Sequence, residues 1–286
     1  MSNFSTVRMV KDAISRGYAV PAINVVDPLS LKAVTEAGQR IQSPLIVQTS
    51  VKTVRLFGAR TLAAAFVEAT EEAITPVTLH LDHCPDRDVI TECIEAGWDS
   101  VLFDASDRDL DLAFSETEAV VAEAHAEEVE VESEIENIIG VEDGVGSDEA
   151  MHAYSVDTLL RVATKSNVDL LAPALGTSHG VYTSKPKLLP DRASEIARRT
   201  EIPIVLHGGT GLTESQFRSF IDAGIGKINV STALKQAYMK AGLAYLQDEA
   251  LETDQWEPMG LFDAQATACS GIVEEFATIF GSVGRG

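Results

Sequence analysis

Three features of the 286-residue sequence predict an α/β chain closed as a (β/α)8 TIM barrel. Apolar runs of strand length alternate with helix-period patterns from one end of the chain to the other. Eight such runs can be counted, the number that closes a barrel, and the reactive polar side chains fall at or just beyond their C-terminal ends. The length suits one large barrel better than two ordinary domains, and no Pro-rich, Ser-rich or low-complexity linker divides it, so residues 1–286 are expected to form a single domain.

The predicted strands, in order, are residues 19–24, 45–49, 77–82, 100–104, 130–135, 169–174, 204–207 and 227–230. Between them, helical periodicity covers residues 29–41, 61–74, 109–127 and 214–223, and the opening 17 residues form an amphipathic helical pattern. Gly17, Gly97 and Gly224 follow such stretches, where a left-handed residue closes a helix without steric cost. Residues 136–150 and 176–190 are the least regular and long enough to be functional loops. After the eighth strand, residues 232–246 and 264–280 predict extra C-terminal helices packed on the barrel exterior or on a partner subunit.

Composition narrows the function. Lys and Arg total 22 against 44 for Asp and Glu, a formal charge of -22 that repels nucleic acid and anionic membrane surfaces and suits solvation in concentrated salt. No apolar run approaches the roughly 18–20 residues of a membrane span, and the N-terminal segment lacks the apolar core of a signal peptide, so a cytoplasmic location is expected. Cys84, Cys93 and Cys269 form no CxxC pair and are read as reduced thiols.

The reactive residues share one predicted rim. His80, Asp82 and His83 end the third strand, Asp104 the fourth and His207 the seventh; His179 follows the sixth and Asn229 lies on the eighth. Glu132 and Glu134 are two apart on the fifth, so both point into the barrel, which requires a cation or hydrogen-bond donors beside them. His83, His179 and His207 come from separate strand ends and offer three imidazole nitrogens to one metal, with a position open for substrate, as catalytic zinc requires. A single one of these histidines is better read as a hydrogen-bonded structural residue; the registration of all three favours a ligand set. His80, His125 and His152 stand outside this pattern and are read as structural, His80 as barrel filler. Two glycine-rich stretches, 176–180 and 207–211, each carry one of the three histidines and let backbone N–H groups approach an anion near the usual phosphate site of such barrels.

As an ordered set, the segments Pro21-Ala22-Ile23-Asn24, Leu81-Asp82-His83, Val131-Glu132-Ser133-Glu134, Val141-Glu142-Asp143-Gly144, Gly176-Thr177-Ser178-His179-Gly180-Val181-Tyr182, Leu206-His207-Gly208-Gly209-Thr210-Gly211 and Lys227-Ile228-Asn229-Val230-Ser231-Thr232 resemble the class II fructose-bisphosphate and tagatose-bisphosphate aldolases. The resemblance implies zinc on His83, His179 and His207, with Glu134 near an alternate metal position. It implies a catalytic acid/base at Asp82, acting on the C4 hydroxyl, and a second catalytic group at Glu142 that moves the C3 proton from a loop whose motion gates the step. Zinc would polarise the C2 carbonyl in place of a Schiff-base lysine. Gly180, Gly209, Thr210, Asn229 and Thr232 would bind the dihydroxyacetone phosphate half, and Asn24 and Ser50 the remainder. A ketose 1,6-bisphosphate as substrate, glyceraldehyde 3-phosphate as the aldehyde product, a monovalent cation (Na+ or K+) near the phosphate, and a homodimer or homotetramer are further implications of the same resemblance.

The chain departs from the family pattern in three places. Ile135-Glu136-Asn137-Ile138-Ile139-Gly140 stands where a glycine-rich run is usual, Thr183 stands where a phosphate-binding lysine is usual, with Lys185 and Lys187 the nearest cations, and Ser231 looks like the tagatose-type branch. Two other functions fit the residues alone: a zinc hydrolase with Asp82 as base, and a sugar-phosphate-binding barrel without turnover. Glu142 separates the lyase from the hydrolase, since carbon-acid chemistry needs it and attack by water does not.

Overall fold

The protein is described here from a computed structural model. It covers residues 4–138, 153–180, 186–254 and 256–286, with the backbone alone for 140–142 and 145–147. Eight parallel strands close a barrel: β1 (Val20–Asn24), β2 (Leu45–Ser50), β3 (Val77–Cys84), β4 (Ser100–Asp104) and β5 (Glu130–Glu134), then β8 (Leu170–Leu171), β9 (Ile204–Leu206) and β10 (Ile225–Val230). β6 (Gly140–Glu142) and β7 (Val145–Ser147) form an antiparallel hairpin between β5 and β8. The barrel strands thus coincide with the predicted runs; the sixth is the shortest, two residues where six were expected, because the chain leaves the ladder toward the site after Leu171. The chain contains α1 (Thr6–Arg16), α2 (Pro28–Arg40), α3 (Val51–Phe57), α4 (Ala59–Thr70), α5 (Arg87–Glu95), α6 (Leu110–Ala126), α7 (Val156–Lys165), α8 (Pro190–Ala197), α9 (Glu214–Asp222), α10 (Thr232–Tyr245), α11 (Leu251–Thr253) and α12 (Pro258–Phe280).

Local chemistry sets the helix starts. Asp27 accepts from the Ser30 amide while Ser30 returns a bond to the Asp27 amide, with Pro28 in the first turn, and Thr213 and Gln216 repeat the device before α9. Gly17 closes α1 in the left-handed region, as its position in the sequence predicts. The C-terminal helices cover the exterior: α12 packs on α2, α10 and β1. All three cysteines are buried and free, and no helix among the described residues is long and apolar enough to cross a membrane.

Two apolar layers hold the barrel. One lies between the sheet and its helices, built from outward residues such as Val47, Leu81, Val101, Val131 and Ile228. The other fills the N-terminal end of the interior, where Val20, Ala22, Ile46, Leu170, Ala172 and Val205 meet Met9, Val10 and Ala13 of α1. Helix α1 therefore seals the end of the barrel opposite the site, and Thr6 adds hydrogen bonds of 3.0 Å to Thr78 and Ser100. Its fit depends on Gly226, where β10 bulges against β9. A Cβ there would lie 2.6 Å from Ile14 Cγ1 and 2.8 Å from both Val10 Cγ1 and the Val10 carbonyl. Gly226→Ala is thus expected to destabilise the protein by about 1–3 kcal/mol through overpacking. An unchanged urea midpoint would mean that α1 yields without cost.

Candidate active site

The polar interior begins directly above the apolar plug. Ser100 Oγ lies 2.8 Å from His80 Nδ1, and His80 Nε2 lies 3.4 Å from Lys227 Nζ. Lys227 donates to Glu132 Oε2 at 2.6 Å, while Glu132 Oε1 is 2.8 Å from His207 Nε2. His80, Glu132 and Lys227 are fully buried. Burial and the Lys227 charge hold the His80 pKa well below the usual value, so its neutral ring accepts from the ammonium. His80 is the structural residue expected, and Lys227 is the cation that the inward Glu132 demands, a pairing that strand alternation alone did not identify.

The next layer holds the candidate residues. Asp82 ends on the inner face of β3, where Oδ2 accepts from Asn24 Nδ2 at 2.8 Å and Oδ1 from Asn229 Nδ2 at 3.0 Å. Asn24 in turn accepts from Gln48 at 2.6 Å. Alternation along a strand would turn His83 to the opposite face from Asp82. Instead, Leu81 to Cys84 on β3 spans Val101 to Phe103 on β4, a bulge of one residue, and His83 takes a left-handed φ of 43°. That conformation costs a non-glycine residue about 1–3 kcal/mol, and it brings two consecutive side chains to one site.

His179 and His207 are brought together by a second device. Gly208 has φ +67°, and a Cβ on it would lie 2.5 Å from the Ser178 carbonyl oxygen, so only glycine lets the two loops touch. His83 is 4.6 Å from both His179 and His207 between ring centroids, and those two are 6.1 Å apart. Candidate donor atoms on the three rings all lie within 4.8 Å of one another, and a second such group is His83, Asp104 and Glu134. Two of the rings are also oriented from behind: Asp104 Oδ2 lies 3.2 Å from His83 Nδ1, and Glu132 holds His207 Nε2. This leaves His83 Nε2, His207 Nδ1, both nitrogens of His179 and Glu134 Oε2 buried without hydrogen-bond partners. Of these, His207 Nδ1 and Glu134 Oε2 lie 3.2 Å apart; buried polar atoms without hydrogen bonds are costly, and a zinc ion is a fitting partner for imidazole nitrogens and a carboxylate.

The electrostatics agree. Burial would lower the His83 pKa, yet the charges of Asp82 and Glu134 and the hydrogen bond that His83 donates to Asp104 raise it well above the usual value. Burial, then the neighbouring Asp104, pushes Glu134 well up against the pull of His83. Both directions mark a centre that favours added positive charge. Burial, followed by repulsion from His83, keeps His179 and His207 well down, hence neutral with lone pairs to give. Burial would raise Asp82 and Asp104 as well, but His83 and its neighbours outweigh it; Asp82 is lowered and Asp104 falls to about 2.

Of the other sequence candidates, Ser50 ends β2 in register with Asp82, and Gly209 packs where a Cβ would meet Phe217 at 3.1 Å and the Asn229 carbonyl at 3.4 Å. Gly180, with φ 78°, follows His179; Thr210 follows Gly209; Thr232 opens α10, so these three stand at the same rim. Glu142 lies on the backbone of the β6–β7 hairpin, and its side chain is outside the described residues, as are residues 181–185, which include Thr183 and Lys185, and His152. His125 pairs with Asp169 at 2.8 Å, away from the cluster, as a structural histidine would.

A parallel barrel whose inner rim gathers three imidazoles, an ionised aspartate and two supporting carboxylates has the layout of an enzyme site that could hold a metal ion. Residues 4–285 match the family model described as "Fructose-bisphosphate aldolase class-II". The chain belongs to the class II fructose-bisphosphate aldolase family and is by that membership a carbon–carbon lyase. It is 33% identical over 288 residues to the 6-phospho-5-dehydro-2-deoxy-D-gluconate aldolase of Bacillus subtilis (strain 168), covering 100% of this chain and 98% of that one. To the sulfofructosephosphate aldolase of Alkalicoccus urumqiensis it is 31% identical over 283 residues, covering 99% and 98%. Among solved structures, the YdjI aldolase of Escherichia coli K12 superposes with a TM-score of 0.83 at 26% identity over 98% of this chain and 97% of that one. A fructose-bisphosphate aldolase of Campylobacter jejuni shares the fold, with a TM-score of 0.84 at 20% identity over 99% and 97%.

Two predictions follow from this geometry. Lys227→Met strands a buried carboxylate and is expected to destabilise the metal-free protein by about 3–5 kcal/mol; an unchanged unfolding midpoint would show that His207 alone satisfies Glu132. Gly208→Ala separates the two histidine loops and is expected to lower the zinc retained per chain after dialysis, read by atomic absorption; full retention would remove the close approach as a cause of the cluster.

Proposed function

We propose that the protein is a zinc-dependent aldolase that reversibly splits a phosphorylated ketose between C3 and C4 into dihydroxyacetone phosphate and an aldehyde. The observation that carries this reading is the placement of Asp82, held in place by two asparagine amides and kept ionised chiefly by the nearby His83, beside the unpaired nitrogens of His83, His179 and His207. Those three residues would hold the metal, with Glu134 as a further donor. When bound, zinc supplies Lewis-acid charge at the substrate carbonyl.

The protein's own groups divide the remaining work. Asn24 and Asn229 donate to Asp82 through one oxygen each, which fixes the carboxylate plane and favours its ionised form. In cleavage, Asp82 accepts the proton of the C4 hydroxyl as the bond breaks; in condensation it returns that proton to the aldehyde oxygen. Glu142 carries the proton to and from C3. Asn24 and Ser50 contact the aldehyde half, and Gly180, Gly209, Thr210, Asn229 and Thr232 the phosphorylated ketone half.

The substrate class proposed is a ketose phosphate. Ketose 1,6-bisphosphates of fructose or tagatose type, with glyceraldehyde 3-phosphate as the aldehyde product, belong to it. The two relatives carry the names of other phosphorylated substrates, sulfofructose phosphate and 6-phospho-5-dehydro-2-deoxygluconate, the second a keto acid rather than a ketose. A coupled assay of zinc-loaded protein against a panel of these compounds is expected to show cleavage of at least one that stops when a chelator is added. Phosphate release without cleavage would favour hydrolysis instead. Glu142→Ala is expected to lower solvent exchange of a dihydroxyacetone phosphate C–H proton by at least about 100-fold with zinc still bound; normal exchange in that variant would remove Glu142 from the mechanism.

A further inference from the structure

One carboxylate ties together the roots of the two longest site loops. Glu136, just beyond β5, is fully buried. Its Oε1 accepts from the Tyr154 amide at 2.8 Å and from Arg192 Nη2 at 2.7 Å, and its Oε2 accepts from the Ala174 amide at 3.0 Å. Arg192 Nη2 also donates to the Tyr154 carbonyl at 3.1 Å. Tyr154 stands where the chain returns from the β6–β7 hairpin toward α7. Ala174 stands where it leaves β8 toward His179, and Arg192 lies in the first turn of α8, where that second loop returns.

A carboxylate with no exposure is tolerated only when charged or amide donors fill its lone pairs, and here three donors do so from segments 18, 38 and 56 residues away. None of these bonds caps a helix or extends the barrel ladder. The arrangement sets where one loop leaves the barrel relative to the other, and so relates the hairpin that bears Glu142 to the loop that bears His179.

We infer that Glu136 and Arg192 are a positioning pair for the C3 proton-transfer step. The inference rests on the role proposed for Glu142. Both residues act from outside the cluster of candidate catalytic groups, through the two roots of the hairpin, at Glu136 and at Tyr154. The His179 loop has independent restraints, namely the Gly208–Ser178 contact and a 2.8 Å bond from the Leu189 amide to the Leu175 carbonyl. Removing the guanidinium therefore loosens the Tyr154 root while the histidine cluster keeps its supports.

The test uses full-length, zinc-loaded protein and dihydroxyacetone phosphate in deuterium oxide, with C–H exchange followed by proton NMR. Arg192→Met is expected to lower kcat for exchange by at least about tenfold, with KM within about threefold and zinc content unchanged. The deuterium isotope effect on condensation, measured with dihydroxyacetone phosphate deuterated at the hydroxymethyl carbon, is expected to rise as the proton step becomes limiting. Arg192→Lys keeps the charge with a poorer reach and is expected to fall between the two, which preserves the test if the Met variant does not fold. A loss of exchange matched by an equal loss of zinc or folded protein, with an unchanged isotope effect, overturns the proposal in favour of a purely structural clamp. Wild-type exchange with an unaffected Arg192→Met overturns the positioning role alone. No exchange in wild type overturns both that role and the one proposed for Glu142.

Discussion

Everything at the rim stands on the buried pairing of Glu132 with Lys227. Four buried acids, Glu132, Glu134, Asp82 and Asp104, share the barrel interior, and without fixed positive charge their mutual repulsion and desolvation would weigh against the fold. Lys227 meets the deepest of them at 2.6 Å, and the same carboxylate orients His207 at 2.8 Å. One ion pair thus secures the polar interior and selects which nitrogen of His207 faces the site. The line continues downward through His80 and Ser100 to Thr6 of α1, so the helix that seals the barrel and the histidine at its mouth belong to one hydrogen-bonded column.

Much of this was legible in the sequence because period and position are written there. The eight apolar runs became the eight barrel strands, and the histidines assigned to separate strand ends met within 4.8 Å through their donor atoms. Legibility failed where a feature depends on a deviation from periodicity. Strict alternation would have sent His83 away from Asp82, and only the bulge against β4 reconciles the pair. Nor does pattern reveal long-range partners: Lys227 lies 95 residues from Glu132, and Arg192 lies 56 from Glu136. The acid at position 136, where the family's pattern is glycine-rich, acquires a physical reason only when Tyr154, Ala174 and Arg192 are seen to converge on it.

Family membership and substrate choice sit at different depths of the molecule. The relatives aligned over nearly the whole chain carry two different substrate names at 31% and 33% identity. On the reading proposed above, the deep column of charged groups and the three imidazoles serve the bond that is broken, whereas discrimination among sugars falls to the loops and strand ends nearer solvent. The glycines that let those loops approach, above all Gly208, fix the meeting of His179 with His207 independently of what the outer loops contact.

The α1 plug has a consequence for traffic. With Met9, Val10 and Ala13 closing one end of the barrel, the proposed metal, substrate and both product halves would all pass by way of the opposite rim. Whatever lies deepest must wait for whatever lies above it, so order of arrival and departure is imposed by shape before any affinity is considered. Glu132 and Lys227, toward that closed end, keep company with protein atoms alone throughout such exchanges.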